Sequence, residues 1–360
     1  MKRYVGLAVV TAIVVGVSSL PQSVRVAAQQ AQRGAAQDLA TAPDVKPAYT
    51  QGPHTIEELD ALLAKISNWG RWGKDDQRGA MNLVTEAKRR QAASTVRSGI
   101  AVSLTRDESG GDPEPGGRVT IKQTMGKPAG GLSAFLTDSY QVSGHNDSMT
   151  HIDALCHIWY RGRIYNGYAE SDVVSPLGCA KSGLGIHRNG IVTRGLLIDL
   201  PWLRGVPYLE PSTPIYAQDL EAWEKKTGLT VTPGDAIFLR TGRWARSARF
   251  PEHPNTMTQL TKVGAAGFHW AVGPWFKERG VALAGQDGGA GVFPTTLPGV
   301  ISPFSVVAIQ GLGVTLIVGM DLDEAAATAV RLNRWEFQFM VAPIQVPGGT
   351  GSPVHPIAVF

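Results

Sequence analysis

The stretch that decides the reading of this chain is His145-Asn-Asp-Ser-Met-Thr-His-Ile-Asp-Ala-Leu-Cys-His157. Three histidines and two aspartates stand within these thirteen residues. His151 and Asp153 are two apart, so on an extended segment both side chains point to one face. Asp147 precedes His151 by four positions, and His157 follows Asp153 by four. Imidazole nitrogen together with carboxylate oxygen suits a borderline divalent ion, Zn²⁺ or Mn²⁺. A catalytic site of this kind keeps an open position for a water molecule, and a further histidine nearby can move its proton. The competing reading of the spacing is a hydrogen-bonded loop with no metal.

Outward from this segment, β-like runs alternate with helices. Thr55-Ile-Glu-Glu-Leu-Asp predicts a capped helix start, since threonine accepts from the free amides of a first turn. Ile191–Leu200 is a buried strand candidate ended by Pro201. Ala217–Thr227 predicts an amphipathic helix stopped by Gly228. Asp235–Arg240 follows the turn Thr232-Pro233-Gly234 as a core strand. Gly267–Arg279 reads as one helix bent or restarted at Pro274. Val281–Gly285, Val314–Val318 and Trp335–Ala342 are further strands, the last apolar enough for a central position. This order predicts one α/β domain with a mixed sheet.

Several features default to bland roles. Gly348-Gly-Thr-Gly-Ser-Pro353 lacks the lysine and helix of a phosphate loop and reads as a turn-rich tail. Ser143, Ser148 and Ser305 have no nucleophile-elbow context, which argues against a serine hydrolase. His187, His253 and His355 have no sequence neighbours for chemistry and read as surface or structural. Trp69, Trp72, Trp159, Tyr160 and Phe268 could stack on a flat substrate, but such residues are more often core. Cys156 and Cys179 can pair only if geometry allows; the expectation is two buried free thiols.

The segment His151-x-Asp153-x-x-x-His157 resembles the second half of the motif of the cyclase family, which includes bacterial kynurenine formamidases and isatin hydrolases. The similarity continues in family order through Trp72–Thr85 (WGKDDQRGAMNLVT), Arg163–Tyr168 (RIYNGY), Val192–Asp199 (VTRGLLID), Pro233–Gly242 (PGDAIFLRTG), Gly280–Asp287 (GVALAGQD) and Gly348–Ala358 (GGTGSPVHPIA). The resemblance implies a single α/β domain over 54–360, with a β-rich swivelling β/β/α core and peripheral helices, in homodimers or homotetramers. It implies Zn²⁺ or Mn²⁺ and hydrolysis of amide bonds in small, often aromatic compounds.

Matched residue by residue, His151 is a histidine ligand, Asp153 the carboxylate ligand and His157 the proton-transferring histidine. The family's first ligand histidine falls at Asp147, which is expected to bind the metal through oxygen beside His151 and Asp153, more like a Mn²⁺ site than a Zn²⁺ one, unless the loop shifts and His145 takes its place. Met149 replaces a glycine. Where two-metal members carry a histidine and a glutamate, this chain has Ser305 and Val318, so the expectation is a single metal. His269, with Trp72 and Phe268, is expected on the substrate side; the plainer reading of His269 is a helix-cap or packing histidine. Besides a hydrolase of a cyclic amide, lactone or formamide, a non-hydrolytic binder of small molecules and a metal-assisted lyase stay open.

The chain has 360 residues, 43% hydrophobic and 18% charged, which favours a large packed core over disorder. Lys2 and Arg3 precede the apolar run Val5–Val17, and small residues allow cleavage after Ala28. This is the pattern of a secretory signal peptide over 1–28, with an apolar run short for a membrane span. Residues 29–53 read as a disordered linker. The expected product is periplasmic or secreted, with no stable membrane anchor. Without the leader the formal charge falls from +4 to +1, with 31 basic against 30 acidic residues, so no basic surface argues for nucleic acid.

Overall fold

The computed structural model describes residues 49–106, 121–126, 133, 135–142, 145, 149–250 and 263–360. Asp147 and His253 lie outside the described residues. Those described belong to one compact unit, 44–360, with a mixed α/β architecture. Among them, no helix is long and apolar enough to cross a membrane.

A nine-stranded sheet organises the chain. Its strands are β1 (Ala101–Ser103), β2 (His151–Asp153), β3 (Ile191–Asp199), β4 (Ala236–Arg240), β5 (Leu283–Gln286), β6 (Thr315–Val318), β7 (Glu336–Val341), β8 (Gly351–Pro353) and β9 (Ile357–Val359). They lie side by side as β1-β9-β7-β3-β4-β5-β6-β2-β8. The four central strands β3, β4, β5 and β6 are parallel, and the flanking pairs are antiparallel. Parallel strands covered on both faces read as unbroken apolar runs. Leu196, Leu197, Ile198, Ile237, Phe238, Leu239 and Leu283 are accordingly all buried.

Helices cover the sheet: α1 (Ile56–Ile66), α2 (Glu86–Ser94), α3 (Ala217–Thr227), α4 (Gly273–Arg279) and α5 (Asp323–Leu332). The start of α1 is the predicted capping box: Thr55 accepts from the Glu58 amide, and the Glu58 carboxylate returns to the Thr55 amide. Helix α3 has the predicted bounds and ends on Gly228 at φ 72°, the left-handed turn that glycine adopts without strain.

Three expectations change. Gly267–Arg279 is not one bent helix. Gly267–Phe268 pairs in parallel with Pro214–Ile215, a 3₁₀ turn spans Trp270–Val272, and α4 begins only at Gly273. Pro274 restarts the helix because a first-turn residue has no intrahelical N–H bond to lose. Strand β7 stands third from the edge and alternates buried with half-buried residues, so its apolar run covers one face only. Most visibly, the tail contributes β8 to the sheet beside β2.

The expected free thiols are also overturned. Cys156 and Cys179 form a disulfide with Cα atoms 6.5 Å apart. The ribbon Val174–Ser175 with Gly178–Cys179 brings the second cysteine within reach, and the Cys179 amide donates to the Gly348 carbonyl at 2.8 Å.

Candidate metal centre

Strand β2 is held between β6 and β8. His151 lies opposite Val318 on one side and Pro353 on the other, and Asp153 opposite Leu316 and Gly351. Ile152 points to the other face and is fully buried. That alternation puts His151 and Asp153 on a common face. The Thr150 hydroxyl donates to the Gly319 carbonyl at 2.7 Å and fixes the entry to the strand.

His145 completes the group. One ligand atom each from His145, His151 and Asp153 lies within 4.8 Å of the others. The space for the His145 ring exists because residue 351 is glycine: a Cβ there would overlap the imidazole. Its Nε2 meets the Thr350 hydroxyl at 2.9 Å. His145 was the alternative to Asp147 in the sequence. Thr350 and Gly351 were missed, since their tail position hid that β8 would run beside β2.

The donor chemistry fits a cation. His151 Nδ1 faces the Met149 carbonyl at 2.9 Å and must donate to it, so in the neutral ring Nε2 carries the lone pair. That lone pair faces Asp153 Oδ1 at 3.5 Å, and His145 Nδ1 approaches the same oxygen at 3.2 Å. Asp153 Oδ1 is buried without a well-aligned hydrogen bond. A carbonyl holding the outer nitrogen of a ligand histidine is the usual support of a metal site. Burial would raise the Asp153 carboxyl, but His157, His145 and His151 outweigh it and hold it at about 2.

His157 stacks on His145, with centroids 3.9 Å apart and planes within 12°. Burial lowers its pKa against the opposing pull of Asp153. The disulfide anchors the adjacent residue, Cys156.

The remaining expected site residues stand on other elements. His269 is fully buried among Tyr49, Tyr216 and Trp270, and its Nδ1 accepts from the Ala271 amide as a cap. Burial holds it at about 3. Trp72 is half-buried with the Arg71 guanidinium 4.7 Å over its ring. Phe268 is buried beside Gln286, Phe304 and Val318, around a crevice with no room for a water molecule. Trp159 (61% exposed) and Trp69 (37%) depart from the core role that their type suggests. Ser305 is buried and bonded to Ser302 at 2.8 Å. His187 is buried, while the exposed His355 meets the half-buried Ser103 hydroxyl at 2.9 Å.

Residues 100–290 match the family model Cyclase, described as "Putative cyclase". A crystal structure described as a novel cyclase is 28% identical and covers 83% of this chain and 99% of its own, with a TM-score of 0.72. Isatin hydrolase A from Ralstonia solanacearum is 20% identical over 74% of this chain and 93% of its own, with a TM-score of 0.48. No curated protein is similar enough to count as a match. By the extent of the family match, together with the histidine and aspartate motif on β2, this chain belongs to the cyclase family.

Proposed function

We propose that the chain is a metal-dependent hydrolase of a small cyclic amide, lactone or formamide. The observation that carries this reading is the convergence of His145 Nδ1 and His151 Nε2 on the buried Asp153 Oδ1. These three residues would hold one divalent ion, Mn²⁺ or Zn²⁺. Such an ion, when bound, acidifies a coordinated water and polarises a carbonyl. Asp153 supplies the negative charge and His151 a fixed tautomer. His157, partly exposed and stacked on His145, is placed to take a proton from the site and return it to the leaving nitrogen or oxygen. Val318, opposite His151, offers no ligand atom for a second ion.

Metal content of the purified chain, with Asp153→Ala as control, tests the reading. About one Mn²⁺ or Zn²⁺ per chain, lost in the variant, is expected from a single site of this ligand set. No metal after incubation with excess of either ion sinks the mechanism and turns the assignment to a small-molecule binder. His157→Ala should keep its metal and lose roughly 10²–10⁴-fold in turnover; loss of the metal would make His157 a ligand instead. Deuterium exchange at a substrate carbon without hydrolysis would mark a lyase.

The disulfide supports export, since such bonds persist in oxidising compartments. The ribbon Ile121–Gly126 with Thr137–Val142 exposes Met125 and Tyr140. A two-stranded ribbon is marginal alone in water, which supports assembly into a homo-oligomer, measurable by sedimentation.

A further inference from the structure

The two histidines of the site that stand outside β2 share one support. His145 Nε2 meets the Thr350 hydroxyl at 2.9 Å, and His157 directly follows Cys156. The chain around Thr350 and Cys156 is gripped by residues 178–184. The Cys179 amide donates to the Gly348 carbonyl at 2.8 Å, and the Leu184 amide to the Gly349 carbonyl at 2.9 Å. A Cβ on Gly178 would overlap the Gly348 backbone, so the two segments touch. The Cys156 amide donates to the Ser182 carbonyl at 3.1 Å, and the disulfide ties Cys156 to Cys179. The Ala154 amide closes the circuit by donating to the Thr350 carbonyl at 2.8 Å. Residues 178–184 thus form a bracket between the tail turn before β8 and the exit of β2. Its own structure holds this bracket poorly. Ser182 adopts φ 57°, a left-handed conformation that a non-glycine residue keeps only when its surroundings impose it. Its Oγ is buried and, among the described residues, has no hydrogen-bond partner, a further cost. The ribbon Val174–Ser175 with Gly178–Cys179 has two residue pairs, and Leu177 at its turn is 93% exposed. A ribbon so short does not sustain itself in water. His151 and Asp153, by contrast, lie in a strand paired on both sides, so their placement does not pass through the bracket.

We propose that the Cys156–Cys179 bond is a redox-dependent positioning element of the metal centre: closing it sets His145 and His157 about Asp153, and opening it releases both while β2 stays formed. This rests on the metal-centre reading of His145, His151 and Asp153 and adds a condition to it. The bond forms by thiol–disulfide exchange. Two cysteine thiols react with a disulfide-bearing oxidant, two electrons pass from the cysteine sulfurs to it, and it leaves as two thiols. A dithiol reverses the step with the same balance. The site is therefore latent where thiols are kept reduced and assembled where disulfides persist.

The test compares oxidised full chain, chain reduced with dithiothreitol, and the double variant Cys156→Ser, Cys179→Ser. Two readouts are taken: histidine ring resonances of the metal-free protein, and Zn²⁺ affinity by titration calorimetry. In the reduced chain and the double variant, the His145 and His157 rings should shift as their stacking is lost, while the His151 ring stays in place. Zn²⁺ affinity should fall roughly 10–100-fold, the usual effect of disturbing a ligand's support. Cys156→Ala with Cys179→Ala serves if the serine pair does not fold. Unmoved His145 and His157 rings in a chain whose thiols are titrated as free overturn the proposal, as does unchanged Zn²⁺ affinity. A loss of all ring dispersion on reduction, His151 included, assigns the bond to the whole fold and overturns the proposal too. Shifted rings with no metal bound in either redox state would sink the metal-centre reading alone. Metal bound equally in both states, with the rings unmoved, would sink the role of the disulfide alone.

Discussion

The His145 ring occupies the space where a side chain of Gly351 would stand. Gly351 is also the partner of Asp153 in the β2–β8 register, so the smallest residue of the tail strand sits across from the carboxylate and makes room for the histidine that meets it at 3.2 Å. Gly351→Ala should displace His145 and lower Mn²⁺ or Zn²⁺ affinity by roughly 10–100-fold, the usual effect of disturbing a ligand's support. Titration calorimetry alongside thermal unfolding checks this. Unchanged affinity in a folded variant would mean that His145 does not ligate.

Buried histidines should make the fold acid-labile. Burial, with help from Arg78, holds His187 neutral down to about 4, and it is 3% exposed. In the unfolded chain it protonates near 6.5. Between these values the unfolded state binds more protons, so stability is full above about 6.5 and declines as the pH falls to 4. The contribution is of order 3 kcal/mol. Urea unfolding of wild type and His187→Leu at pH 7.5 and 4.5 separates this group from the others. The stability difference between the two proteins should shift towards the variant at the lower pH, and a difference independent of pH would refute the assignment.

The disulfide between Cys156 and Cys179 closes a loop over a sequence separation of 23. Chain-entropy reasoning gives a stabilisation of about 3 kcal/mol. Denaturation with and without dithiothreitol should show a loss of that order, and the double variant Cys156→Ser, Cys179→Ser should be indifferent to reductant. Equal stability of oxidised and reduced wild type would show that the bond constrains little.

Asp235 binds two buried cations at once. Its carboxylate meets Lys88 Nζ at 2.7 Å and Arg194 Nη2 at 2.5 Å, and it is fully buried. Removing one partner of a buried ion pair typically costs about 3–5 kcal/mol, so Asp235→Ala should destabilise by at least that much. Adding Lys88→Met to the variant should recover part of the loss. A double variant no more stable than the single one would show that Lys88 is not left uncompensated.

Local chemistry was legible from the sequence. The Thr55 and Glu58 capping box, the Gly228 stop of α3 and the apolar runs of β3 and β4 depend on residues close along the chain, and the structure realises each one. The pairing of His151 with Asp153 was legible too, because a strand repeats its faces every two residues. Tertiary structure decided what joins residues distant in sequence. Thr350 and Gly351 reach the site through the β2–β8 register, and Cys179 reaches Cys156 through a short ribbon. No periodicity or spacing encodes such meetings, since they depend on which strands become neighbours. The same holds for His145: the sequence put Asp147 first and His145 only as its alternative, and it is the glycine opposite Asp153 that gives the His145 ring its place.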